Sequence, residues 1–103
     1  MQFLNDTKLD DLSQKKVSLI LRSGSNVVNV VVCSAIVRDG NLFLDCIPKR
    51  PGKYIAKVPD DAVISRRNES APEHLGDFCV IVDPESEPGK LISSLSAAKH
   101  KMN

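Results

Sequence analysis

The stretch "VVNVVVCSAIVRDGNLFLDCI", residues 27–47, carries the strongest structural signal in this chain of 103 residues. Two apolar runs flank Asp39-Gly40, and Asp-Gly is a favoured centre for a tight hairpin turn. The first run, 27–37, is long for a flat strand. Such a length is typical of a strong bend, which lets one strand belong to two halves of a barrel. The stretch therefore predicts a bent hairpin at the centre of the fold.

Shorter strands are predicted on both sides of this hairpin. In "KKVSLILRSG" the residues Val17, Leu19 and Leu21 alternate with Ser18, Ile20 and Arg22, which suits a strand with one face fully buried. The turn "RSGSN" then leads into the hairpin. Further strands are expected in "KYIAKV" (53–58), in 62–66 and in "DFCVIVD" (77–83).

Helical segments are expected only near the two ends of the chain. The segment "NDTKLDDLSQ" (5–14) predicts one or two helical turns, with Asn5 or Asp6 as the N-cap. The segment "KLISSLSAAKHKMN" (90–103) favours a helix with basic residues late in it, where they suit the helix dipole. Its apolar residues Leu91, Ile92 and Leu95 fall at helical spacing.

The fold class predicted from this pattern is mainly β. We expect a small barrel of five or six strands, of the SH3, Sm or OB type, with a short N-terminal helix and a C-terminal helix or tail. Residues 1–88 would form a single barrel domain with an N-terminal helical cap, and residues 89–103 a C-terminal helix or flexible tail.

Cysteine usage and hydropathy indicate a soluble, cytoplasmic protein. The three cysteines, Cys33, Cys46 and Cys79, lie in apolar runs without a CxxC pair, which favours buried thiols over a disulfide framework or a zinc site. No apolar run approaches the roughly 20 residues of a membrane-spanning helix, and the N-terminus lacks the pattern of a secretory signal. We expect no cofactor and no metal.

The residues also give little support to catalysis. None of the common phosphate-binding, dinucleotide, zinc-protease or nucleophile-elbow motifs is present. Adjacent pairs such as Asp60–Asp61 would point to opposite faces of a strand, where they cannot work together as an acid and a base. His74 lies in a polar loop without a visible nucleophile. A non-enzymatic role is therefore predicted.

Charge is segregated along the chain, although the net charge is only +1. Residues 49–67 hold six basic and two acidic side chains, a local charge of +4. Residues 69–87 hold six acidic side chains and neither Lys nor Arg, a local charge of −6. The two blocks either serve as a solvated surface, face each other within one subunit or across an oligomer, or bind a charged partner.

The leading hypothesis is that the basic block binds RNA or single-stranded DNA. Lysine and arginine would neutralise phosphates, so that binding weakens with salt. Tyr54, beside Lys53, is a side chain on which a base could stack. The predicted nucleic-acid-binding residues are Lys49, Arg50, Lys53, Tyr54, Lys57, Arg66 and Arg67.

The alternative hypothesis is a protein–protein interaction module, such as an adaptor or an inhibitor encoded by a phage or plasmid. It would grip its partner by an exposed strand edge or by the acidic segment 69–87, which could imitate nucleic acid towards a basic protein. The residues predicted for that role are Glu69, Glu73, Asp83, Glu85 and Glu87. A homo-oligomer is compatible with either hypothesis.

Part of the chain, residues 3–67, resembles the Sm-like small barrels of the Hfq type. The similar elements are "FLN", "KVSLILRSG", the long valine-rich strand, "GNLFL" and "DAVISRR". The resemblance implies a short helix that caps an open barrel of bent strands, subunits joined edge to edge into a ring, and RNA bound around the pore and rim. The Tyr-Lys-His run that lines the pore in that family has no counterpart here, since "PDDAVIS" occupies the region. Only Asn41 matches a polar position of the family.

Overall fold

The computed structural model describes residues 1–47, 49, 50, 52–67 and 76–101. These residues form seven strands, one turn of 3-10 helix at Leu9–Leu12 and one α-helix. The elements are β1 (Gln2–Phe3), β2 (Lys16–Ser23), β3 (Asn26–Arg38), β4 (Asn41–Asp45), β5 (Ile55–Lys57), β6 (Val63–Arg66), β7 (Phe78–Val82) and α1 (Glu87–Lys101).

All seven strands belong to one mixed sheet with the order β1-β6-β7-β2-β3-β4-β5. β1 pairs with β6, and β2 with β7, in parallel, whereas the remaining neighbours are antiparallel. The sheet curves into a half-barrel whose edges are β1 and β5. The prediction of a mainly β, small barrel-like fold is confirmed at this level.

The predicted strand count and the predicted N-terminal helix are wrong in detail. The structure has seven strands rather than five or six, because the first residues add a short strand beside β6. Asn5 and Asp6 have φ values of 57° and 58° and form a turn instead of capping a helix. The only helical turn in this segment is the 3-10 helix, whose preceding residue, Lys8, donates its backbone N–H to the Asp11 carboxylate at 2.9 Å.

The central hairpin forms as the sequence predicts. Asp39 and Gly40 take φ values of 54° and 77°. Two-residue hairpin turns in which both central residues have positive φ match the right-handed twist of the flanking strands. β3 pairs with β2 through residues 26–34 and with β4 through residues 34–38. One long strand thus serves two parts of the curved sheet, and this carries the chain from β2 to the β4–β5 side.

The core lies on the concave side of the sheet. Alternate residues of most strands, among them Leu42 and Leu44 of β4, and Val80 and Val82 of β7, are buried there, as expected for strands with one apolar face. Ile92 of α1 joins this core, so the C-terminal helix packs against the sheet. The core side chains include Leu12, Val17, Leu19, Leu21, Cys33, Ala35, Leu42, Leu44, Ala56, Ile64, Phe78 and Val80.

The helix α1 begins at Glu87, directly after its N-cap residue Ser86. The Ser86 hydroxyl accepts the backbone N–H of Gly89 at 3.3 Å and donates to the carbonyl of Asp83 at 2.6 Å. Gly89 is packed so closely that a Cβ there would lie 2.3 Å from the Pro84 carbonyl oxygen. Across the described part of the chain, no helix has the length and apolar character that crossing a bilayer requires.

Candidate functional site

The loop between β4 and β5, residues 46–54, is called the basic loop here because it holds Lys49, Arg50 and Lys53. Its two ends are joined by a hydrogen bond from the Cys46 backbone N–H to the Tyr54 carbonyl at 2.8 Å. Within it, Arg50 N–H donates to the Ile47 carbonyl at 2.9 Å. The basic side chains are therefore presented on a folded turn.

A buried carboxylate holds the basic loop against the sheet. Asp45, the last residue of β4, is only 5% exposed. Its Oδ2 accepts the backbone N–H of Gly52 at 3.0 Å, and Gly52 takes a φ of 81° that favours glycine. Its Oδ1 has no hydrogen-bond partner among the described residues. A charge-assisted bond of this kind is among the stronger ones in proteins, so Asp45 anchors the loop at Gly52.

The cations of this region face solvent, although the Glu87 carboxylate lies against the backbone of Lys57. Lys49, Arg50, Lys53 and Lys57 are exposed, and none of them forms an ion pair with a residue that the structure describes. The Lys53 ammonium lies 5.5 Å from the centroid of the Tyr54 ring, a cation–π contact. The result is a group of exposed cations, one of which lies over a half-buried aromatic ring.

A second aromatic side chain, which the sequence reasoning missed, lies beside this surface. Phe43 of β4 is directly opposite Lys57 of β5 in the sheet register. Both project from the convex face, because the neighbouring pair Leu44–Ala56 is buried in the core. Phe43 keeps partial exposure. The alternation of "NLFLD" could have indicated an outward aromatic, but only strand pairing places it next to a lysine.

Arg66 and Arg67 lie elsewhere, in a cleft of about 490 Å³ near the end of β6. The Arg66 guanidinium is 3.4 Å from the Asp11 carboxylate and 5.5 Å from the centroid of the Phe78 ring. Arg67 donates its backbone N–H to the Asp77 carbonyl at 2.9 Å. This cleft mixes both signs of charge, and its lining residues are Asp11, Lys15, Arg66, Arg67, Asp77 and Phe78.

The sheet order separates the cleft from the basic loop. β7, β2, β3 and β4 lie between β6 and β5. At about 4.8 Å per strand, the two groups are roughly 24 Å apart along the curved sheet. The seven residues predicted as one nucleic-acid surface are thus divided into a loop group with Lys57 and a cleft group of Arg66 and Arg67.

The acidic residues of the alternative hypothesis have structural roles where the structure describes them. The Asp83 carboxylate accepts the backbone N–H of Glu85 at 2.8 Å in the turn before α1. The Glu87 carboxylate accepts the backbone N–H of Lys57 and so covers the edge of β5. Glu85 is exposed. The predicted residues Glu69 and Glu73 lie outside the described residues.

Two of the three cysteines lie side by side in the core. The Cys33 and Cys46 side chains are buried, and their mutual hydrogen bond, together with burial, raises the pKa of the Cys33 thiol, while the same bond lowers the pKa of Cys46. Burial also raises the pKa of Cys79. A thiol with a raised pKa is a poor nucleophile at neutral pH. Over the described residues, His, Cys, Asp and Glu form no group of three or more suited to a metal ion; His74 lies outside them.

No known protein-family model matches this chain, and no curated protein or solved structure matches it significantly. The resemblance to Sm-like barrels stays a prediction. The geometry of the basic loop is therefore the main indication of function.

Proposed function

We propose that the protein binds single-stranded nucleic acid, RNA or DNA, through the basic loop and Lys57, without catalysing a reaction. The observation that carries this proposal is the set of exposed cations without described ion-pair partners on one anchored loop. Phosphates carry the opposite charge to such a surface. Each phosphate that a cation neutralises releases condensed counterions and so favours binding.

Bases would stack beside the phosphate contacts. Tyr54 is half-buried at the foot of the loop, and Phe43 lies next to Lys57 on the convex face. Stacking of a base on an aromatic ring contributes about 1–3 kcal/mol and tolerates any base, because every base has a π-face. We infer a binding mode with little sequence preference, in which cations contact the backbone and a partly exposed aromatic ring stacks on a base.

The remaining finer assignments are proposals of the same kind. The long bent β3, shared by both parts of the half-barrel, supports a place among small barrels of the SH3, Sm or OB type, whose faces and loops bind oligonucleotides. We propose the cytoplasm as the compartment, since the cysteines are thiols that pack as small apolar side chains.

Charge reversal in the basic loop tests the proposal. Fluorescence anisotropy with labelled oligouridine and oligothymidine should show saturable binding at low salt. Lys53→Glu should abolish it, because the substitution removes a phosphate contact and places a carboxylate beside the remaining cations. Arg66→Glu is the matched control: it makes the same change of charge in the cleft and should leave the dissociation constant within about twofold. Circular dichroism checks that both variants fold.

Two outcomes would overturn the proposal. One is an absence of binding by the unaltered protein at low salt. The other is an equal loss of affinity in Lys53→Glu and Arg66→Glu. This would show that binding depends on total charge and not on the position of the cations in the basic loop.

The acidic alternative has weaker support. Asp83 and Glu87 are engaged in hydrogen bonds that hold α1 and the edge of β5 in place. A partner that captured them would have to displace those bonds. Glu85, which is exposed, is the described residue of that segment most accessible to a basic partner.

A further inference from the structure

The two terminal edges of the sheet are protected against pairing with another chain. β1 has only two residues, and very short edge strands give little template for a new partner. On the opposite side, the Lys57 backbone N–H of β5 is occupied by the Glu87 carboxylate at the start of α1. Covering an edge in this way is a common protection against aggregation.

A further edge, unpaired among the described strands, lies along the first half of β3, because β4 pairs only with the second half of that strand. The N–H of Ala35 donates to the Lys15 carbonyl at 2.8 Å, so odd-numbered residues of β3 from Asn29 to Ala35, where the register with β2 is regular, direct their backbone groups toward the β2 side. Even-numbered residues therefore direct theirs the other way. β4 pairs only with residues 34–38, so the backbone groups of Val30 and Val32 lie where no described strand pairs with them.

The hydrogen bonding of Val30 agrees with this direction. Its N–H donates to the side-chain Oδ1 of the preceding residue, Asn29, at 2.8 Å. The Asn29 side chain thus occupies one donor on the open edge, much as Glu87 occupies one on β5. A side-chain cap of this kind can rotate away when a strand arrives.

The open edge is also apolar and uncharged. Val27, Val28 and Val30 are 58%, 61% and 43% exposed. The run "NVVNVVVC", residues 26–33, has no charged residue and no proline, the two features that most often prevent an edge from pairing. Valine favours strands, because its branched side chain packs well against neighbours on a pleated surface.

We propose that this edge of β3 pairs with the same edge of a second copy, antiparallel about a two-fold axis near Val30. Donors and acceptors of one edge are self-complementary in an antiparallel pair, as an isologous interface requires. The inference is independent of nucleic-acid binding.

The charge distribution favours an antiparallel pair of copies over a parallel pair. The paired run is neutral, so no like charges face each other. The basic loop leaves β4 beside Ser34, at one end of the open edge, and the turn at Gly24 lies at the other end. A two-fold axis places each basic loop toward the partner's turn, which keeps the two positive loops apart. A parallel arrangement would bring them together.

Apolar packing would also continue across the axis. Val63, Ile81, Ile20 and Val30 are successive partners across β6, β7, β2 and β3 on the convex face. The partner's identical row would extend this line from Val30 onward.

Sedimentation velocity over roughly 1–300 μM tests the proposal, because an association equilibrium depends on protomer concentration. The unaltered protein should change from monomer to dimer. Val30→Lys should raise the protein concentration at which half of the chains are dimeric at least about tenfold, since it places like charges opposite each other across the axis. Ile55→Lys is the matched control: Ile55 is also 43% exposed on a strand, but on the covered edge strand β5, and the concentration at which half of its chains are dimeric should be unchanged.

Hydrogen exchange of the Val32 amide gives a second readout that needs no substitution. Its protection should rise with protein concentration across the same range, while the amides of β6 stay constant. The proposal is overturned if the protein stays monomeric throughout, if Val30→Lys dimerises as well as the unaltered chain, if assembly continues beyond the dimer, or if Val32 exchange does not depend on concentration.

Discussion

The salt dependence of nucleic-acid binding follows from the number of cations in the proposed interface. Lys49, Arg50, Lys53 and Lys57 are the cations at the loop and its adjoining strand. For a single strand, log K falls with log salt concentration by about 0.7 for each phosphate neutralised. Contacts from all four cations predict a slope of about −2.8, so that affinity falls roughly 50-fold between about 50 and 200 mM salt.

Removing one cation should change this slope by a fixed step. Lys53→Ala should reduce its magnitude to about 2.1, and the loss of affinity over the same salt range to about 20-fold. Lys15→Ala removes one exposed cation from the cleft near Arg66 and should leave the slope unchanged. Anisotropy titrations with labelled oligouridine at five salt concentrations measure all three slopes.

Two results would refute this reasoning. A slope near −4.2 would mean about six phosphate contacts, which would require Arg66 and Arg67 to join the interface despite their place across the sheet. Equal changes for Lys53→Ala and Lys15→Ala would show that the cations act through net charge alone.

Three further predictions concern the supporting structure. Asp45→Ala should lower the free energy of unfolding by about 1.5–3 kcal/mol, since it removes the charged acceptor of the Gly52 N–H. Urea denaturation measures this free energy, and an unchanged value would show that the carboxylate does not hold the loop. Gly89→Ala should cost about 1–3 kcal/mol by overpacking, and the melting temperature should fall accordingly; an unchanged value would contradict the close contact with Pro84. Cys79 should react with a thiol reagent before Cys33 and Cys46, whose side chains are buried; equal reactivity would contradict that burial. Stability should also fall as pH rises above about 8.5, because burial raises the pKa of Cys79 in the folded protein and only the unfolded thiol then ionises; constant stability would contradict this.

The central hairpin could be predicted because its signals are local. Asp39-Gly40 determines the turn, and the β-branched residues on both sides favour strands whatever the rest of the chain does. The bend of β3 was predicted from length alone, since a run of that size exceeds an ordinary strand.

The N-terminal segment was mispredicted because its structure depends on a distant strand. Gln2 and Phe3 are held by pairing with Val63 and Ile64, a contact that no local pattern contains. After β1 the chain turns at Asn5 and Asp6, and the 3-10 helix begins only at Leu9.

The candidate site was predicted only in part, because charge was counted along the chain. Residues 49–67 form one basic block in sequence, but in the strand order β5 and β6 lie toward opposite edges of the sheet. The block is therefore divided in space. Asp45 and Phe43 were missed because each acquires its role from a contact, one with Gly52 and the other with Lys57.

Nitrogen-15 NMR of the labelled protein during titration with an unlabelled single-stranded oligonucleotide tests the proposed interface most directly. The amide shifts that change most should belong to the basic loop, to Lys57 and to Phe43, and they should return when salt is added. Shifts confined to Arg66 and its neighbours in the cleft, or no shifts at low salt, would contradict it.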